Sequence, residues 1–172
     1  MKYSFYVLLL LAVTQFSVRA QSSNFKPNAL TAAVVVTDSE KSLHFYKDIL
    51  GLQDAGAFDI DAVFAKRLGL SSDTPFHVDL LKFSDTEKSS QLKIVSFKNN
   101  DPDSVKDLIQ QQLGLQYLTL EVYSLNSIME NVKKEGIKPE GETPLNLGDN
   151  RYLVILKDPD GVFVEIIGDY KE

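Results

Sequence analysis

The chain contains no cysteine and only two histidines among its 172 residues. Without cysteine, neither a disulfide nor a zinc site built on thiolates can form, so burial of apolar side chains must stabilise the fold. The scarcity of histidine leaves few imidazole ligands for other metals. The chemistry of any site must therefore come chiefly from carboxylates, amines and hydroxyls.

A cluster of basic residues is also missing. The net charge is -6 and the sequence pI is about 5.0. An acidic chain of this kind is not attracted electrostatically to the phosphates of nucleic acid or to an anionic membrane surface, so both are excluded as partners. Small molecules and proteins remain, and a homodimer is left open.

No apolar run reaches the ~20 residues that a membrane span requires. Residues 1–20 instead have Lys2, a shorter apolar run from 5 to 13 and a small-residue cleavage site ending at Ala20. This arrangement is typical of a secretory signal peptide. We therefore expect a secreted or periplasmic protein, with no membrane attachment of the mature chain 21–172.

One pattern occurs twice along the chain. A short β-branched strand is followed by an amphipathic helix that ends at glycine, first over 30–51 and again over 117–136. Asp38 and Ser39 are expected to cap the first helix. Two further strands are predicted after each helix, at 75–83 and 91–97 in the first copy and at 151–157 and 162–168 in the second.

This duplication predicts two modules of strand, helix and three strands, which pair because neither module can bury its apolar face alone. Module one covers about 28–98 and module two about 115–170, within one domain. The linker 99–114 is expected to hold a short helix capped by Asp101 or Asp103. Residues 55–74 are interpreted as an insertion with a helical middle, which could lie over a pocket or pad the edge of the sheet.

Two motifs, TDSEKSLHFYKDILGL (37–52) and DPDGVFVEIIG (158–168), resemble the vicinal oxygen chelate superfamily. That superfamily includes glyoxalase I, extradiol dioxygenases, methylmalonyl-CoA epimerase and bleomycin-resistance proteins. The resemblance implies an α+β fold in which two βαβββ modules pair into a curled mixed sheet. The sheet would form a cup-shaped pocket for a divalent metal or a small ligand.

The resemblance places the four metal-ligand positions of the superfamily at Thr31, Lys93, Tyr117 and Glu165. Three of these residue types suit a divalent metal poorly, since such ions prefer imidazole and carboxylate and are repelled by an ammonium. We therefore predict no metal and no other cofactor. A divalent metal remains the alternative.

The two histidines are interpreted differently. His44 lies on the first helix, outside the cup, and is interpreted as a surface or packing residue. His77 shares one face of a strand with Asp79, and it could join Asp79 and Glu165 in an unorthodox metal site if that face lines the cup.

Glu165 lies within the apolar strand VFVEII, where a buried carboxylate needs a partner. One hypothesis is an ion pair with Lys93, whose ammonium would stand where a metal would otherwise bring positive charge. The alternative is that Lys93 reaches solvent while Glu165 lies in a water-filled mouth. Strand periodicity fixes the face of each residue but not the distance between them.

The function predicted from the sequence is binding of a small organic ligand in a metal-free cup, as in the bleomycin-resistance proteins of the superfamily. The expected ligand-binding residues are Thr31, Lys93, Tyr117, Phe163 and Glu165. The alternative is a lyase or isomerase of glyoxalase type, with or without a divalent metal, in which Glu165 acts as general base. Whether the protein is an enzyme is left open.

Overall fold

The computed structural model describes residues 30–86, 88–98, 108–109 and 114–171. The predicted signal peptide and the expected capping residues Asp101 and Asp103 of the linker lie outside the described residues. Within the described part of the chain, no helix has the length and apolar character needed to cross a membrane.

Module one forms a four-stranded mixed sheet. Its elements are β1 (Thr31–Val36), α1 (Ser39–Leu43) with a π-helical extension (His44–Ile49), β2 (Gln53–Ile60), α2 (Ala62–Leu68), β3 (Phe76–Lys82) and β4 (Gln91–Phe97). The strand order is β1-β4-β3-β2, with β1 parallel to β4 and the other pairs antiparallel.

Module two repeats this arrangement. Its elements are β5 (Tyr117–Ser124), α3 (Asn126–Lys134), β6 (Leu145–Gly148), β7 (Arg151–Lys157) and β8 (Phe163–Asp169). The strand order is β5-β8-β7-β6, with β5 parallel to β8. Two mixed sheets with few helices confirm the predicted α+β class, and the sheets are not closed into a barrel.

The interpretation of residues 55–74 as one insertion was wrong at its start. Residues 55–60 belong to β2, the outermost strand of the first sheet, which pairs with β3 through a bulge between Asp54 and Ala57. Seven of the eight residues of β2 are exposed, so the strand lacks the alternating burial that marks a central strand. The helical middle is confirmed, because α2 occupies Ala62–Leu68.

The first helix begins as predicted. The Asp38 carboxylate accepts a hydrogen bond of 3.1 Å from the amide of Lys41, which satisfies one amide of the first turn. The helix then widens, since the amide of Leu50 donates to the carbonyl of Phe45, five residues earlier. Gly51 follows with a φ of 87°, a backbone conformation that glycine adopts without steric cost.

One apolar core serves both modules. It contains residues from the helix-facing side of each sheet and from the helices α1 and α3, including Val36, Ile94, Ile128, Leu156 and Ile166. Leu118, Leu120 and Val122 of β5 pack against the same core. A site could therefore form on the opposite side of each sheet; on module one, a second buried cluster on that side joins Ala65 of α2 to Phe76, Val78 and Val95.

The DPDG turn between β7 and β8 joins this core to the first helix. Asp158 Oδ1 accepts hydrogen bonds from the amides of Asp160 and Val162, at 3.0 and 2.8 Å. Gly161 has a φ of 83°, as the turn requires. The Asp160 carboxylate accepts from the amide of Thr37 at 3.1 Å, so the turn of module two is fixed to the start of the first helix. These contacts support a structural role for the motif.

Candidate ligand-binding site

The side of each sheet that faces away from the shared core carries the predicted site residues. On module one, Ala33 and Val35 of β1 lie in register with Lys93 and Val95 of β4, so all four project to one side. On module two, Tyr117 and Thr119 of β5 lie in register with Phe163 and Glu165 of β8. Each sheet thus contributes its own set of candidate side chains.

The face of module one contains a cavity of about 280 Å³, which we call the module-one cavity. Its lining residues come from β1, from β2, β3 and β4, and from α2 and the residues after it. They are Ala33, Val35, Phe58, Ile60, Leu68, Leu70, Phe76, Val78, Lys93, Val95 and Phe97. Of these described lining residues, only Lys93 carries a charge. The cavity is therefore an apolar pocket with a single cation in its wall.

Lys93 is half-buried in that wall, and its Nζ lies 5.9 Å from the centre of the Phe58 ring. An ammonium at this distance is attracted by the negative face of the ring. Among the described residues, no ion pair involves Lys93. The side chain is therefore held beside an aromatic ring and not beside a carboxylate.

Glu165 is half-buried on module two, where its Oε1 accepts a hydrogen bond of 2.9 Å from the hydroxyl of Thr119. The ion pair that we considered between Lys93 and Glu165 is therefore not formed. The two residues belong to different sheets, and the strand next to Glu165 already supplies a hydrogen-bond donor. Strand periodicity gave the correct side for each residue but could not give this separation.

The remaining predicted ligand-binding residues differ in their surroundings. Tyr117 is 48% exposed and lies in register with Phe163, which is half-buried. The Nζ of Lys157 lies 4.7 Å from the centre of the Phe163 ring, so this ring also has a cation over its face. Thr31 is exposed at the start of β1, and it does not line the module-one cavity.

His77 lies on the other side of its sheet from Lys93. Asp79, on the same side of β3 as His77, is in register with Ile94, a residue of the shared core. The condition for the unorthodox metal site, that this side of β3 lines the cup, is therefore not met. His77 Nδ1 instead lies 2.7 Å from Asp59 Oδ1, and this hydrogen bond raises the pKa of the imidazole above 6.5.

His44 is exposed on the first helix, as expected for a surface residue. Its Nδ1 lies 2.8 Å from Asp48 Oδ2, and its Nε2 lies 3.5 Å from Glu135 Oε2 on the segment that follows α3. The hydrogen bond with Asp48 raises its pKa. This histidine therefore links the first helix to the end of α3 at the surface.

The four family positions do not fit a divalent metal. A hydroxyl, an ammonium, a phenol and one carboxylate form a poor donor set, and the carboxylate is already bonded to Thr119. Elsewhere in the described ranges, no group of three or more histidine, aspartate and glutamate side chains is arranged to hold a metal ion.

Several residues of the cavity wall were not predicted from the sequence, because the predicted ligand-binding residues came from β1, β4, β5 and β8 alone. Phe58 and Ile60 come from β2, Val78 comes from β3, and Leu68 comes from α2. The apolar residues at alternate positions of AFDI were a signal for β2 that the interpretation as an insertion passed over. Of the two alternatives for the insertion, a position over a pocket agrees with Leu68 of α2 in the cavity wall.

The fold and the site define a class of protein: two βαβββ modules that share a core, with candidate ligand-binding residues on the free side of each sheet. The family model of the Glyoxalase/Bleomycin resistance protein/Dioxygenase superfamily matches residues 29–166. The chain therefore belongs to this superfamily, and the resemblance found in the sequence is confirmed. Comparison with curated proteins gives no match.

Solved structures share the fold at low sequence identity. A glyoxalase family protein from Bacillus cereus has a TM-score of 0.69 and 14% identity, covering 90% of this chain and 100% of that chain. Glyoxalase I from Zea mays has a TM-score of 0.61 and 18% identity, covering 83% of this chain but 44% of the maize chain. The trypanothione-dependent glyoxalase I of Leishmania major has a TM-score of 0.56 and 15% identity, covering 81% and 85%. These likenesses concern the fold alone.

Proposed function

We propose that this superfamily member is an exported protein that binds a small organic molecule without a metal. The observation that carries the proposal is the module-one cavity, an apolar pocket that has Lys93 in its wall. Pockets for small molecules combine apolar walls with a few polar groups that orient the ligand. The cavity has this composition.

Several apolar side chains of the cavity wall are exposed to solvent. Val35 is 57% exposed, Leu68 is 49% exposed and Leu70 is 67% exposed. Covering apolar surface contributes about 25 cal/mol per Å² of area removed from water. A ligand in the cavity would therefore gain affinity from surface that the folded chain leaves uncovered.

Metal independence is supported by the donor set at the four family positions, in which Lys93 would repel a divalent ion. Export is supported by the signal-peptide pattern of residues 1–20. Sequencing the N-terminus of the protein recovered from outside the cytoplasm tests export directly. A mature chain that starts at Gln21 is expected, and a cell-retained protein that starts at Met1 would contradict export.

Thermal unfolding in the presence of a panel of small aromatic and aliphatic compounds tests ligand binding. At least one compound should raise the melting temperature, because a ligand that binds only the folded state stabilises it. The shift should be the same with and without a chelator. No shift with any compound, or a shift that requires a divalent metal, would contradict the proposal.

Two valines provide a matched pair of variants for that assay. Val35 lines the cavity and is 57% exposed, whereas Val63 on α2 is 70% exposed and does not line it. Val35→Glu should abolish the thermal shift, since it places a carboxylate in the apolar wall and fills space. Val63→Glu should leave the shift unchanged. Equal effects of the two variants would place the binding elsewhere.

A second candidate is a lyase or isomerase with Glu165 as general base. Its support is that the hydroxyl of Thr119 on β5 donates a hydrogen bond to the half-buried Glu165 carboxylate. Thr119 lies on the same side of β5 as Tyr117. Lys93 does not contact Glu165, so the oxyanion would have to be stabilised by Tyr117. Lyase or isomerase activity that is lost in Glu165→Gln would support this candidate.

A further inference from the structure

We infer that the ligand of the module-one cavity is an apolar molecule that carries one negative charge, and that Lys93 supplies the opposite charge. This inference rests on the proposed function, because it names the class of ligand for the same site.

The neighbours of Lys93 within the sheet are apolar. Ala33 on β1 and Leu80 on β3 lie in register with it on either side. The ring of Phe58 lies 5.9 Å from its ammonium. An ammonium in such a wall has fewer hydrogen-bond partners than one that is surrounded by water.

The lysine also lacks a carboxylate partner within the described part of the chain. Lys47, Lys82 and Lys157 each form an ion pair with an aspartate or glutamate, at 3.0, 2.9 and 3.9 Å. Among the residues that the structure describes, Lys93 forms no such pair, and its side chain lies in an apolar wall beside Phe58. The partner that would complement Lys93 is therefore expected to arrive with the ligand.

The charge in the wall discriminates between ligands. A neutral apolar ligand would take water away from the ammonium without replacing its hydrogen bonds, and a cationic ligand would be repelled. An anion would compensate this loss with a charge-assisted hydrogen bond. Because the described lining holds one cation, the cavity complements one negative charge on the ligand.

The size of the cavity limits the apolar part of the ligand. A volume of about 280 Å³ is just below the ~300–1,000 Å³ range of small-molecule sites. Such a space suits a body of two or three rings, or an aliphatic chain of similar volume. The ligand class is therefore a small aromatic or aliphatic acid.

Two fluorescent probes with the same aromatic body test this inference. One is 8-anilinonaphthalene-1-sulfonate, which is a monoanion, and the other is the neutral N-phenyl-1-naphthylamine. Each is titrated into the full chain and into variants, and the dissociation constants are measured from the fluorescence increase. The sulfonate should bind about tenfold more tightly than the neutral probe, as one charge-assisted hydrogen bond implies.

Three variants locate the effect. Lys93→Met removes the charge and should weaken the sulfonate about tenfold, whereas the neutral probe should bind as tightly as before or more tightly. Lys66→Met, on the exposed side of α2, removes the same charge outside the cavity and should change neither probe. Leu68→Gln makes the wall more polar and should weaken both probes.

The outcomes separate the two proposals. If both probes bind equally and Lys93→Met has no effect, the ligand class is wrong but apolar binding in the cavity stands, provided that Leu68→Gln still weakens it. If neither probe binds, or if Leu68→Gln changes neither, the module-one cavity is not the binding site and the proposed function loses its main support.

Discussion

The phenol of Tyr46 on the first helix donates a hydrogen bond of 2.9 Å to Oδ2 of Asp158 in the turn before the last strand. Tyr46 is fully buried and Asp158 is 4% exposed. Burial raises the pKa of both groups, because it disfavours the charged form of each. The bond therefore satisfies a buried carboxylate and connects module one to module two.

Tyr46→Phe should destabilise the protein by about 1–3 kcal/mol, since it leaves a buried acceptor without its donor while preserving the ring. Urea denaturation measures the change. Tyr123→Phe is the matched control, because Tyr123 is fully exposed, and it should change stability by less than about 0.5 kcal/mol. Equal stability of the Tyr46 variant and the wild-type protein would contradict the role assigned to this bond.

Lys93 and Glu165 should behave as independent sites. The free energies of unfolding of Lys93→Met, Glu165→Gln and the double variant should add within about 0.5 kcal/mol, because the two side chains do not contact each other. Thr119→Val combined with Glu165→Gln should instead show coupling, since these residues share a hydrogen bond of 2.9 Å. A coupling energy above about 1 kcal/mol between Lys93 and Glu165 would show that the two side chains do interact, as the ion-pair hypothesis stated.

The pKa of His77 should depend on Asp59. The hydrogen bond between them raises this pKa above 6.5, so the pair stabilises the fold fully below that pH and less as the pH rises through the raised value. Asp59→Asn should lower the pKa of His77 and leave that of His44 unchanged. With only two histidines in the chain, the Cε1 proton signals in an NMR titration report both values. An unchanged titration of His77 would contradict the assignment.

Metal analysis should find no stoichiometric ion. Residues 21–172, expressed without a His tag and dialysed against manganese, iron, nickel and zinc in turn, should retain less than about a tenth of an equivalent of each, given the poor donor set. A stoichiometric metal that is lost in Glu165→Ala would contradict metal independence. The protein should then be assayed as a metalloenzyme.

The sequence was sufficient to predict the α+β class, the duplicated plan and most strands. Periodicity works where one side of an element is buried, as in β1, where Val34 and Val36 join the core. It failed for β2, whose residues are almost all exposed, and β6 (Leu145–Gly148), which is exposed throughout, was not located. Strands at the edge of a sheet carry little of the burial pattern on which such predictions depend.

The site was less predictable than the fold. The side on which Lys93 and Glu165 project followed from strand alternation, but the distance between them depends on how the two sheets are arranged. The contact between Lys93 and Phe58 joins residues on strands that are not adjacent in the sheet. Cavities of this kind depend on tertiary structure and cannot be derived from local sequence patterns.

Methyl chemical-shift mapping tests the central claim, that a small organic molecule binds against the apolar face of module one. The chain is labelled at valine and leucine methyl groups and titrated with 8-anilinonaphthalene-1-sulfonate. The methyl signals of Val35, Val95 and Leu70 should shift, because these residues line the cavity, while those of Val154 and Leu156 in the core should not. Shifts confined to methyl groups outside the cavity, or no shifts at saturating probe, would contradict the claim.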